Sequence, residues 1–252
     1  MKSLKILAIA TVSLLSLPFQ SGAQNQMVWI HDDHVKPAMF AEYSKAAKEL
    51  ADACKKHNLQ NADWMTIRLN NGTYRSVAAI DNMAELDANL FAPLAEKMGK
   101  ENLAALWDRF DKCYDKHNSY TIINMKELTY MPDGFTMNPP GQDYRKFHYF
   151  YVTPSGSDAA AEKIKAIKAV YAKKGAKENF RVYRSGFGCA EEFYVAVISA
   201  KDEQSYIKTS DETEALLGEE GRKAIDDLMK TAERYEVIDG YLKADLGYTS
   251  KK

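Results

Sequence analysis

Trp107-Asp108-Arg109-Phe110-Asp111-Lys112 and, about 118 residues later, Ile225-Asp226-Asp227-Leu228-Met229-Lys230 place apolar, acidic and basic side chains in the same order. Val77-Ala78-Ala79-Ile80 and Val195-Ala196-Val197-Ile198 stand at the same offset. Tyr120-Thr121-Ile122-Ile123-Asn124 matches Tyr235-Glu236-Val237-Ile238-Asp239 after a slip of three residues, and Ile67-Arg68 matches Tyr183-Arg184 after a slip of two. Four matches in one order point to a unit written twice.

Working outward, each copy reads as strand, helix, strand, strand, helix, strand. In the first, Met27 to His31 is rich in β-formers, and Pro37 opens a helix to about His57 with Phe40, Tyr43, Ala47, Leu50 and Cys54 in helical phase. Asp63 to Leu69 and Thr73 to Asp81 flank Asn70-Asn71-Gly72 as a hairpin. A second helical region runs in two pieces, Met83 to Phe91 and Glu101 to Tyr114, and Tyr120 to Leu128 closes the copy as a strand. The second copy follows with Phe147 to Thr153, Ser157 to Lys174, Asn179 to Arg184, Glu192 to Ala200, a helix mainly over Glu219 to Ala232, and Tyr235 to Asp245. The proline-rich run from Met131 to Gly141 stiffens the crossing between them, which predicts units over 24–134 and 135–252.

This order is the ferredoxin-like arrangement, and the strands carry apolar or aromatic residues on both faces, as in Phe193, Val195 and Val197 against Tyr194, Ala196 and Ile198. On that basis residues 26 to 249 resemble the dimeric α+β barrel superfamily, as a tandem-duplicated pseudo-dimer within one chain. The resemblance implies an α+β fold of two ferredoxin-like units packed sheet to sheet. It also implies a ligand in the cleft between a sheet and its covering helices. The superfamily spans cofactor-free monooxygenases, haem-degrading and chlorite-degrading enzymes, lactone isomerases and plain binding proteins, so the fold does not choose an activity.

Residues 1 to 23 carry Lys2 and Lys5, the apolar run Ile6 to Leu17, Pro18 and then Ser21-Gly22-Ala23. This is the pattern of a signal peptide cleaved after Ala23, so the expected location is periplasmic or extracellular. No apolar run reaches the ~20 residues of a membrane span. The 252-residue chain has 34 Lys plus Arg against 35 Asp plus Glu, which lacks the basic footprint of a nucleic-acid binder. With 46% hydrophobic residues it has the material for a sizeable core. Cys54 and Cys113 lie in helix stripes; a bridge between them and two buried thiols are both open, and Cys189 has no evident partner.

His31-Asp32-Asp33-His34 is the densest run of ligand-type residues, making His31 and His34 candidate metal ligands and His31 a candidate proton acceptor. On an extended strand the two histidines face opposite ways, and the alternative role is a polar turn that caps the next helix. Arg68 and Arg184 end matching strands and offer planar donor forks for an anionic group. Trp29, Tyr43, Trp64, Tyr149 and Tyr151 offer apolar bodies, the tyrosines with polar tips, suited to a flat ligand. No nucleophile-elbow, zinc-protease, phosphate-loop or dinucleotide motif is present. The expected function is therefore an exported monomer that binds a flat, partly apolar small molecule. The alternative is a cofactor-free monooxygenase or isomerase at the same cleft. No cofactor is expected, with haem and a divalent metal left open.

Overall fold

The computed structural model describes residues 25–250, so the signal-peptide reading of residues 1–23 lies outside the described residues. Eight antiparallel strands form one closed barrel: β1 (Met27–Val35), β2 (Met65–Leu69), β3 (Thr73–Ile80), β4 (Tyr114–Asn124), β5 (Tyr144–Tyr151), β6 (Phe180–Ser185), β7 (Phe193–Ala200) and β8 (Arg234–Leu242). Around the barrel they run β1-β3-β2-β8-β5-β7-β6-β4. The helices are α1 (Phe40–His57), α2 (Ala92–Met98), α3 (Lys100–Asp111), α4 (Ser157–Lys174) and α5 (Glu203–Met229), the last kinked at Gly218.

This topology overturns the expected pair of ferredoxin-like units packed sheet to sheet, and with it the tandem-repeat description. Two packed sheets would each keep edge strands with unpaired N–H and C=O groups. Here Ile67–Leu69 of β2 pair with Gly240–Leu242 of β8, and Ile122–Asn124 of β4 pair with Tyr183–Ser185 of β6. Those two seams leave no edge, and the residues expected between two sheets line a single lumen: Val28, Ile30, Ile67, Val77, Ile122, Phe147, Val195 and Val197.

A glycine serves each seam. A Cβ on Gly240 would lie 2.5 Å from the carbonyl oxygen of Arg68 and 2.9 Å from Cα of Leu69; one on Gly186 would lie 2.6 Å from Oγ1 of Thr121. At Gly240 the obstacle is backbone, which cannot swing aside. Gly240→Ala is therefore expected to cost about 2–3 kcal/mol by overpacking the β2–β8 seam, read from the urea midpoint. An unchanged midpoint would mean that the seam is looser than described.

The two faces of the strands explain their lack of simple alternation. Inward residues fill the lumen, while outward ones meet helices: Val35 and Tyr74 pack with Tyr43, Leu50, Leu103 and Phe110, and Phe150 and Tyr194 pack with Ile164, Tyr171, Leu217 and Leu228. Helix α1 follows its expected stripe, and Cys54, Cys113 and Cys189 are all free thiols, the first two buried. One boundary differs materially. Strand β4 begins at Tyr114, six residues before the expected Tyr120, so His117 stands on a strand opposite Asp33. Among the described residues no helix is long and apolar enough to cross a membrane.

Candidate functional site

Strand β1 stays extended through the acidic run, so its side chains divide between two environments. Val28, Ile30 and Asp32 belong to the inward side, whereas Trp29, His31 and Asp33 share the outward side. Arg75 and Tyr120 line the lumen from the neighbouring strands, so Ser76 and Ser119, each directly opposite His31, lie on its own face.

On that outward face His31 is held at both ring nitrogens. Nδ1 is 2.8 Å from Ser119 Oγ and Nε2 is 3.1 Å from Asp33 Oδ1. The other oxygen of Asp33 accepts a 2.7 Å hydrogen bond from the buried Tyr43 hydroxyl. Burial first, and the facing Asp33 carboxylate second, push the Tyr43 phenol well above its ordinary range, so it remains a donor. A carboxylate beside Nε2 places the proton there and leaves the Nδ1 lone pair toward Ser119. Trp29 stacks on His31 with ring centroids 5.6 Å apart and planes 16° apart, and His117 meets the imidazole edge-on at 5.2 Å. Small residues flank this aromatic pair: Ser76 and Ala78 on β3, Ser119 and Thr121 on β4. The result is a flat shelf with a base at one end. Beside it, the loop after β6 bonds Thr121 through the Phe187 carbonyl, and the Phe187 ring is 77% exposed.

His31, Asp33 and His117 also bring one ligand atom each within 4.8 Å of one another. His34 takes no part; it contacts Thr73 Oγ1 and Asn118 Nδ2 instead. Of the other residues singled out in the sequence, Trp29 and Tyr43 gather with His31. Trp64 packs against Phe91 and Tyr248, its indole N–H donating to the Leu246 carbonyl. Arg68 lies over the Phe40 ring at 4.5 Å, and Arg184 approaches Glu192 at 3.5 Å. Tyr149 points into the lumen, and the Tyr151 ring is covered by Arg234 at 3.5 Å. These positions do not converge on one cleft.

The lumen holds a second constellation that the sequence reading missed. Arg75 clamps Asp32 with two 2.8 Å hydrogen bonds and donates to the hydroxyls of Tyr149 at 2.7 Å and Tyr120 at 3.1 Å. Burial opposes the charge on Arg75, but Tyr120, Tyr149 and Asp32 hold its pKa well above the ordinary value. A signal was available: Asp32 follows Val28 and Ile30, and Arg75 precedes Val77, in the apolar phase of their strands.

His148 stands on the outward face of β5, its Nδ1 2.6 Å from the Tyr235 hydroxyl and its Nε2 3.2 Å from that of Tyr206. Burial, and then nearby Lys146, push its pKa down from 6.5 to about 4. The unfolded chain therefore binds more protons between those two values. His148 contributes stability that is complete above pH 6.5 and is lost as pH falls toward 4, by ~3 kcal/mol. His148→Gln is expected to flatten the fall of the urea midpoint between pH 7 and 4.5; a fall of unchanged steepness would contradict the assignment.

The lumen cavity encloses about 50 Å³ and no histidine lines it, while both nitrogens of His148 are engaged. Neither place fits haem.

No known family profile and no curated protein matches the sequence. Solved structures do match. An anthrone oxidase-like protein aligns with TM-score 0.57 and 14% identity, covering 88% of this chain and 92% of its own. A proposed monooxygenase from Lactobacillus acidophilus NCFM aligns with TM-score 0.56 and 8% identity over 90% and 97% of the two chains. A variant of the chlorite dismutase from Candidatus Nitrospira defluvii gives 0.52 and 6% over 87% and 92%. At these identities the likeness is one of fold alone.

Proposed function

We propose that the protein is a cofactor-free oxygenase for a flat, partly aromatic substrate with an acidic O–H or C–H bond. The observation that carries this reading is the Ser119–His31–Asp33–Tyr43 chain at the end of the Trp29 shelf. The fold shared with an anthrone oxidase-like protein supports the choice of chemistry over binding alone. A substrate stacked on Trp29 presents its proton to His31 Nδ1, directly or through the Ser119 hydroxyl. Asp33 then faces the imidazolium that forms, and Tyr43 holds Asp33 in place. The deprotonated substrate is electron-rich enough to react with dioxygen itself. For an anthrone, the methylene carbon gains one oxygen atom as a carbonyl, its two hydrogens leave with the other oxygen as water, and the charges balance.

The test is oxygen uptake by the purified protein with an anthrone, before and after treatment with a chelator. Uptake above the spontaneous rate that survives chelation supports the reading; no uptake with anthrones and related hydroquinones overturns it. Convergence of His31, Asp33 and His117 supports a second reading, a divalent cation at the same place, and uptake abolished by chelation and restored by one metal would favour it. We also propose that the chain is exported with cleavage after Ala23, to be checked by intact mass of protein from its native host.

A further inference from the structure

At the end of the lumen opposite Asp32 two buried arginines form no ion pair among the described residues, and Asp143 favours the charge on Arg145 only at longer range. Arg145 and Arg181, each 2% exposed, line the same cavity as Tyr183. Arg75 has Asp32 as its counter-ion, but among the described residues the partners of these two arginines are neutral. Arg145 donates to the carbonyls of Gln142 and Tyr144 and to Asn138 Oδ1 at 2.9 Å. Arg181 donates to the carbonyls of Thr136 at 3.1 Å, Met137 at 3.0 Å and Val197 at 3.5 Å, and to Ser199 Oγ. These bonds employ the Nη groups and leave the Nε–H of each guanidinium without a protein acceptor, and the Tyr183 hydroxyl makes no hydrogen bond among the described residues.

Fastening the linker through Thr136, Met137, Asn138 and Gln142 accounts for most of the hydrogen bonds. It does not account for the charge, because a neutral Asn or Gln at one position would serve as donor without like-charge repulsion. Arg181 opposes the charge on Arg145, and two such buried guanidiniums are costly without an anion. Burial first, and Arg181 second, bring the pKa of Arg145 down to about 10, which leaves it charged at neutral pH.

We propose that this end of the lumen binds a small oxyanion between Arg145 and Arg181, with the Tyr183 hydroxyl as a further donor. The cavity limits the ligand. About 50 Å³ holds a group of a few heavy atoms and is well short of the ~150 Å³ that accepts a benzene ring. The ligand is therefore a one- or two-carbon carboxylate or an inorganic oxyanion of that size, and it is distinct from the flat substrate of the outer shelf.

The test uses the full chain, with formate, acetate and nitrate titrated against chloride at constant ionic strength, read by melting temperature and by the near-ultraviolet difference spectrum of tyrosine. A saturable rise with a tyrosine perturbation, beyond the chloride response, is expected. Response to formate and acetate alone identifies a small organic acid, and response to nitrate as well identifies oxyanion shape as sufficient. Arg181→Gln should raise the half-saturating concentration at least about tenfold, since a charged hydrogen bond is lost. Tyr183→Phe, a milder change, should weaken it while keeping the fold and reducing the spectral signal. If no anion exceeds chloride in either readout, or if both variants bind like the parent, the proposal is overturned and the arginines serve only to fasten the linker.

Discussion

Asp32→Ala is expected to destabilise the folded chain by ~3–5 kcal/mol, the largest loss foreseen for any single substitution in the barrel. Both carboxylate oxygens of Asp32 are held by Arg75 at 2.8 Å, and both residues are buried, at 5% and 7% exposure. Removing the carboxylate leaves a buried guanidinium with only two tyrosine hydroxyls as hydrogen-bond partners and no counter-ion. The pair itself contributes much less than this, because desolvating two ions offsets most of their attraction. Asp32→Leu combined with Arg75→Met should therefore recover most of the stability. Urea denaturation at neutral pH measures both. A loss below about 1 kcal/mol for the single variant would show that the lumen is wet enough to solvate a lone arginine.

His31→Gln is expected to lower turnover by ~10²–10⁴-fold, the range in which a positioned general base contributes. The amide keeps the size and a hydrogen bond to Ser119 but cannot accept the proton. Because Trp29 and the small residues beside it are untouched, KM should stay within a few-fold, so the loss falls on kcat. Asp33→Asn should fall between parent and His31→Gln, since it removes the charge facing the imidazolium while leaving a group for Tyr43. Trp29→Ala should do the reverse of His31→Gln and raise KM. Steady-state oxygen uptake over a range of substrate concentrations separates these outcomes. If His31→Gln retains turnover within about threefold, His31 is not the base.

The extent of what was legible differs between the two faces of the strands. Helix α4, expected over Ser157 to Lys174, occupies Ser157–Lys174, and the hairpin of β2 and β3 turns at Asn70-Asn71-Gly72 as its dipeptide requires. Helical spacing and turn chemistry are local, so neighbours in the chain reveal them. His31 and Tyr43 were visible as residue types, but their connection runs through Asp33, and the base depends on Ser119 and His117 from β4. The start of β4 was expected six residues too late, at Tyr120, which hid both partners. Polar residues such as Lys116 and Asn118 obscure the alternation there.

The sequence by itself determined the element order, the amphipathic helices and the presence of strands apolar on both faces, because each is written in periodicity within a single segment. Only the tertiary structure decided that the strands form one closed barrel and not two packed sheets. That choice rests on the β2–β8 and β4–β6 seams, where segments about 170 and 60 residues apart exchange backbone hydrogen bonds and a glycine allows the approach. The same closure turned Asp32 and Arg75 toward each other and Arg145 and Arg181 into a common lumen. A backbone hydrogen bond carries no mark of its partner in the side chains, and a charge in an apolar phase does not name the charge that answers it. Both become fixed when the eighth strand meets the second.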